Sequence, residues 1–261
     1  MIDAHLHLAE YSNILERIKR WQDYGITGVV AVSTDLTSSY RTLELKSRYP
    51  NFIIAAAGFH PEHPLPSSRD LHEWHDLMSH ETSHFSAIGE VGMPQYREDA
   101  FHPYVKEQYE ALFLEMVQTA KTYHLPLLLH AVHTGAPLVY RHLQAHKIKK
   151  AHFHWFKGDE QTTQHIINAG YYVSVTPEVC YRKRDQELVK RIPLSQLLLE
   201  TDGPWPFQER FAHCETSPLL LPHVEKTVSS LKSLDPLVLR DRIKHNIKNF
   251  FQRKRKFFFK K

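Results

Sequence analysis

Cysteine is nearly absent: the 261 residues hold two, Cys180 and Cys214, and no CxxC pair. Two thiols cannot build a disulfide framework, and their scarcity favours a reducing cytosol. Long apolar runs are missing as well. No stretch approaches the ~18 uncharged apolar residues of a membrane-spanning helix, so no membrane partner is expected. The opening, MIDAHLHLAE, has no basic segment leading into an apolar core. No signal peptide is therefore expected, and the expected location is the cytoplasm. The chain also lacks internal repeats and any Pro/Gly/Ser-rich linker, which leaves one domain over 1–252. Hydrophobic residues make up 42% and charged residues 24%, a globular balance that excludes a disordered chain. Even the charge excess is local. The net charge is +4, but six basic groups fall in the last ten residues, QRKRKFFFKK. Without them 27 basic groups face 29 acidic ones, a balance of −2. The basic character belongs to a tail at 253–261, which reads more simply as a solvated terminus than as a phosphate-binding arm. No obligate protein partner is evident.

What the chain has in excess is histidine, with twenty. Imidazole is the commonest metal ligand, so the placement of each matters. Eight short apolar runs supply the frame, at 2–8, 28–33, 52–58, 86–92, 126–130, 151–156, 172–176 and 197–201. They are continuous rather than alternating, as parallel strands covered on both faces should be. Amphipathic stretches separate them. In 104–123, Leu112, Met116, Ala120 and Tyr123 recur at spacings of 4, 4 and 3, one stripe of a helix. In 13–24, Ile14, Ile18 and Trp21 share a face, and Gly25 is the stop. The polar stretch 61–84 predicts a loop and a surface helix. Eight strands alternating with helices over this length predict an α/β fold, a single (β/α)8 TIM-type barrel, with a doubly wound open sheet as fallback.

In such a barrel the functional groups sit at the C-terminal ends of the strands. The polar residues at the ends of these runs are His5, His7, His60, Glu90, His130, His154 and Asp202. His5 and His7 form HxH, and residues two apart on a strand point the same way, so both can reach one ion. Glu90 lies in AIGEVGM, where no basic residue is near to pair a buried carboxylate. His130 ends PLLLH. In HFHWF, Phe156, Lys157 and Gly158 place His154 at the mouth and leave His152 as a core histidine. Gly203 and Pro204 set Asp202 at a strand tip, while Glu200 suits a salt bridge in the barrel wall or behind the ligands. The predicted metal set is His5, His7, Glu90, His130, His154 and Asp202. Nitrogen and oxygen ligands without thiolate suit one or two divalent ions, Zn, Mn, Co or Mg. With two ions, Glu90 bridges them over an activated water, and Asp202 accepts the proton of the nucleophile. For substrate contacts, His133 lies in the loop after His130. Tyr181, Arg182, Lys183 and Arg184 follow the seventh strand, and Trp155, Trp205 and Phe207 offer rings for stacking.

At these residues the chain resembles the TatD family of metal-dependent hydrolases, within the amidohydrolase superfamily. MIDAHLHL resembles its opening strand, GFHPE (58–62) its G-hydrophobic-HP turn, and GEVGM (89–93) its GE-hydrophobic-G motif. PLLLHA, HWFKG and HNIKNFF are similar to later motifs, and LLLETDGPW resembles the diagnostic ETDxP. The resemblance implies a barrel with one to three metals and hydrolysis of phosphodiester bonds, in the manner of a deoxyribonuclease, with DNA or a nucleotide-like phosphoester as substrate. It implies the same six ligands and makes His60 a substrate or phosphate contact. Two positions depart from the pattern. Pro94 stands where the family usually has Asp, with Glu98 or Asp99 as stand-ins from the loop, and Val132 stands where it usually has Arg. These departures support a second reading, a divergent amidohydrolase cleaving a C–N or ester bond in a small substrate. A complete ligand set argues against a third, a non-catalytic barrel.

Overall fold

The computed structural model describes residues 1–97 and 102–252, so Glu98, Asp99 and the basic tail lie outside the described residues. Eight parallel strands follow one another round one sheet in chain order. They are β1 (Ile2–Leu6), β2 (Gly28–Ala31), β3 (Ile53–Ala57), β4 (Phe85–Gly92), β5 (Leu127–His130), β6 (Ala151–Phe153), β7 (Tyr172–Val175) and β8 (Leu197–Leu199). All eight expected strands form. Six end one to three residues early, because the chain leaves the ladder at the rim to turn its polar groups inward. Helices cover the outside: α1 (Ile14–Asp23), α2 (Leu36–Arg48), α3 (Ser68–Glu81), α4 (Pro103–Tyr123), α5 (Gly135–Ala145), α6 (Glu160–Asn168), α7 (Lys183–Arg191), α8 (Leu221–Lys232) and α9 (Pro236–Phe251). The result is a (β/α)8 barrel rather than an open sheet.

Local chemistry explains the elements. Helix α1 buries Ile14, Ile18 and Trp21 and gives way at Gly25, whose φ of +83° costs glycine little. The helix in the polar stretch, α3, starts at Ser67, whose hydroxyl accepts the Asp70 N–H, and buries Trp74, Leu77 and Met78. The buried face of α4 centres on Phe113, Met116, Val117 and Ala120. Leu112 and Tyr123, expected on that stripe, are half-buried at its margins.

Closure depends on the seam between β8 and β1. There the Asp202 N–H donates to the His5 carbonyl at 3.0 Å and the His7 N–H to the Gly203 carbonyl at 2.7 Å. The buried Asp3 carboxyl accepts the Thr201 N–H at 3.0 Å and its hydroxyl at 2.5 Å. Burial raises this carboxyl to about 8, so it bridges the seam as a neutral acid. The main apolar core lies between strands and helices. A second cluster, Val30, Val32, Ala56, Ala87, Leu128 and Phe250, fills the barrel lumen. Phe250 comes from the end of α9, which Lys150 Nζ caps through the carbonyls of Asn249, Phe250 and Gln252 at 2.8–3.0 Å. His152 sits in the lumen, buried, with Nε2 2.6 Å from Ser174 Oγ.

Candidate metal centre

Three irregularities of the sheet aim the central groups. The register shifts within β1–β2, β3–β4 and β4–β5, the first spanning His5 and the last spanning Glu90. Such bulges bend a strand and redirect its side chains. At the end of β4, Ser33 N–H donates to Gly89 O at 3.3 Å and Glu90 N–H donates to Ser33 O at 2.9 Å. Glu90 is thereby turned to the barrel axis, fully buried. Gly92 brings β4 against β5 so closely that a Cβ there would lie 1.9 Å from the His130 carbonyl.

Five imidazoles surround this one carboxylate, divided between its two oxygens. Oε2 faces His5 Nε2 at 3.0 Å and His7 Nε2 at 3.4 Å. Oε1 faces His154 Nε2 at 2.7 Å, His130 Nδ1 at 2.9 Å and His60 Nε2 at 3.1 Å. Asp202 joins the first group, with Oδ1 3.4 Å from Nε2 of both His5 and His7. The six residues expected to bind metal thus come together from β1, β4, β5, β6 and β8. Donor atoms at the mouth fall into sets compact enough to hold an ion: His5, His7 and Glu90; His5, His154 and Asp202; and a third, His60, Glu90 and His130, which takes in His60, expected only as a substrate contact. The donor chemistry fits a divalent cation. Asp202 Oδ1 is buried without a hydrogen-bond partner, and the imidazole and carboxylate donors suit ions such as Zn or Mn.

Electrostatics follow from this crowding. Burial alone would raise the Glu90 carboxyl, but the imidazoles facing it, His154 foremost, overcome it and hold the group well below the usual carboxylate range. Burial brings His60 down to about 4, so its ring is neutral. Its Nδ1 accepts the Glu62 N–H at 3.1 Å, which puts the ring proton on Nε2, the atom facing Glu90. Behind the centre, Glu200 accepts the Trp155 N–H at 2.7 Å, and the same oxygen lies 3.6 Å from His154 Nδ1.

The centre floors a cavity of about 560 Å³, within the range of small-molecule sites. His60 and Trp205 line it, as expected of substrate contacts. His133 and Arg182 do not. His133 is exposed, with φ +48°, its N–H held by the Lys157 carbonyl at 2.5 Å and its ring against Tyr96. Arg182 donates to Gln208 Oε1 at 3.0 Å and lies 3.6 Å from Glu178, which holds its guanidinium at the rim. Among the lining residues that escaped the sequence reading, two carry charge beside the centre. Glu62 lies 3.2 Å from His130 Nε2 and accepts the N–H groups of Gln95 and Tyr96. Its signal was its place two residues after His60. Lys157 carried no signal beyond its place three residues after His154, and it puts a cation into a cavity where Val132 is apolar.

Known proteins resemble this chain over almost all of its length. The profile of the TatD related DNase family matches residues 2–252. A protein of Haemophilus influenzae described as an uncharacterized metal-dependent hydrolase is 37% identical, covering 97% of this chain and 99% of its own. A 3'-5' ssDNA/RNA exonuclease TatD of a Pantoea species is 28% identical, covering 96% and 98%. Among solved structures, a TatD homolog from Escherichia coli K12 superposes with a TM-score of 0.85 at 23% identity, covering 97% and 98%.

Proposed function

The chain belongs to the TatD related DNase family of metal-dependent hydrolases, and from that premise we propose that it cleaves phosphodiester bonds of single-stranded nucleic acid or a nucleotide-like ester. The observation that carries the reading is the division of the Glu90 carboxylate, one oxygen toward His5 and His7, the other toward His130 and His154. A carboxylate so placed suits two divalent ions. His5, His7, Asp202 and Glu90 would hold one, and His130, His154 and Glu90 the other. Zn, Mn, Mg and Co all accept these donors, with imidazole favouring the first two and Co over Mg. When bound, such a pair supplies Lewis-acid charge and a water acidic enough to ionise near neutral pH.

The chain's own groups do the rest. Asp202 is held below the usual carboxylate range: burial raises it, and His7, His154 and His5 outweigh burial. It is therefore ionised at neutral pH and available to accept the proton of the attacking water. His60 keeps its proton on Nε2 and donates it to Glu90 Oε1, which holds that carboxylate in place at the floor of the cavity. Trp205, 55% exposed at the rim, presents a ring to a base. We assign 1–252 to this activity, and the two free cysteines suit a reducing compartment.

The test is turnover of a single-stranded oligothymidylate and of bis(p-nitrophenyl) phosphate with Mn, Mg, Co or Zn, together with metal content. Cleavage with up to two ions per chain is expected. Asp202→Asn should lower kcat by roughly a hundredfold or more, the contribution of a positioned acid–base group. Full turnover in that variant, or no phosphodiester cleavage with any of these ions, overturns the proposal.

A further inference from the structure

Lys157 leaves β6 three residues after His154 and lines the same cavity as His154, Asp202 and Trp205. Its Nζ lies 3.7 Å from the centroid of the Trp155 ring. Among the described residues, no Asp or Glu oxygen lies within 4.0 Å of it. The cations round it differ. Arg184 pairs with Glu178 at 2.8 Å and Asp185 at 2.9 Å, and Arg191 lies 3.6 Å from Glu160. Their charge is taken up by carboxylates in contact, whereas Lys157 feels Glu178, Asp185 and Asp202 only at longer range and lines the cavity. An ammonium partly withdrawn from water is costly without an anion, and a ring face offsets only part of the cost. The seat is also rigid. Trp155 Nε1 donates to Glu178 at 3.0 Å, its backbone N–H is held by Glu200, and Trp205 and Phe207 pack on its ring at 6.1 and 5.4 Å. Val132, on the adjoining loop, lines the cavity without charge. The two loops are joined where the His133 N–H meets the Lys157 carbonyl.

We infer that Lys157 binds a non-bridging oxygen of the substrate's phosphate, as the cavity's anion-holding residue on the β6 side. The inference rests on the phosphodiester reading for its substrate but not for its anion. It places a point charge, not a bidentate fork, beside the centre, and the position of that charge is set by Trp155.

The experiment measures binding of inorganic phosphate to the Mn-loaded protein by calorimetry, alongside kcat/KM on single-stranded oligothymidylate and metal content. Lys157→Met keeps the aliphatic stem on Trp155 and removes the charge. Phosphate affinity and kcat/KM should each fall roughly tenfold to a hundredfold, the worth of a charged hydrogen bond, at unchanged metal content. Lys157→Arg should retain most of both. Val132→Arg in the Lys157→Met background should recover part, by restoring a cation from the adjoining loop. Unchanged phosphate affinity in Lys157→Met overturns the inference. So does loss of metal from that variant, which would make the lysine a support of the centre. The two proposals fail separately. Phosphate bound through Lys157 without phosphodiester cleavage by the parent protein sinks the proposed function alone. DNA cleavage undiminished in Lys157→Met sinks the lysine alone.

Discussion

Glu90 and Glu200 are both fully buried carboxylates at strand ends, and their surroundings divide the work between them. Glu90 meets five imidazoles, so its oxygens face donors that a cation would draw together. Glu200 meets one peptide N–H and the rear nitrogen of His154. That position suits a group that orients a ligand and strengthens its basicity. Glu200→Gln keeps the oxygen that receives the Trp155 N–H and removes the charge behind the imidazole. Metal affinity should fall roughly tenfold to a hundredfold, read by titration against a competing chelator, with little change in the fold. Unchanged affinity would leave Glu200 with the wall alone. The contrast also shows which residues a sequence can reveal. The six central ones end apolar runs, so strand periodicity alone puts them at one rim. His133 and Arg182 stand in loops where direction depends on the partner: one is turned outward at positive φ, and the other is held by Gln208 and Glu178. Lys157 has the opposite history. Only the fold shows that its ammonium lies over the Trp155 ring and that it joins the lining of the cavity.

Strand β4 does more than any other element to build the centre, and it does so by departing from regularity. Its registers with β3 and β5 both shift, and its Gly89 carbonyl and Glu90 N–H bond to Ser33 beyond the end of β2. The strand can pass that close to β5 only because Gly92 has no side chain. Gly92→Ala would drive a Cβ into the His130 carbonyl, a backbone atom that cannot turn aside. The strands must part, and Glu90 and His130, now 2.9 Å apart, must separate with them. A displacement of about 1 Å at such a site costs on the order of a hundredfold in rate. The expected outcome is that loss in kcat/KM, with weaker metal binding in the same titration. Wild-type turnover would show that the close approach is incidental. The motif GEVGM made Glu90 legible and gave the strand its place. The shifts of register were not legible, since they arise from pairing with two neighbours far away in sequence. Strand limits suffered for the same reason: runs such as 151–156 stay apolar past the point where the ladder ends at Phe153.

The barrel keeps its two ends for different purposes. At one end polar groups gather round Glu90. At the other, Phe250 closes the lumen beneath His152, their ring centroids 6.0 Å apart. The polar end is partly satisfied by itself, since imidazoles and carboxylates already bond one another. Chelation should therefore leave the fold standing and lower only its stability. A ligand at a hundred times its Kd adds about 2.7 kcal/mol for one site. In a chain of this size each kcal/mol moves Tm by roughly 2–4 °C, so saturation with Mn should raise Tm by about 5–10 °C for one occupied site. Phe250→Ala should cost about 3–5 kcal/mol through the cavity it leaves in the lumen. Because the plug packs on His152, Tyr172 and the apolar lumen cluster, the two effects should add to within about 0.5 kcal/mol. The same Mn-dependent increment, measured by calorimetric melting of both proteins, would mark the metal end as an independent unit. An increment that vanishes in Phe250→Ala would mean that the packing of the lumen, through His152 and its bond to Ser174, sets the geometry at the mouth. In that case the catalytic rim of the barrel could not be altered without regard to its floor.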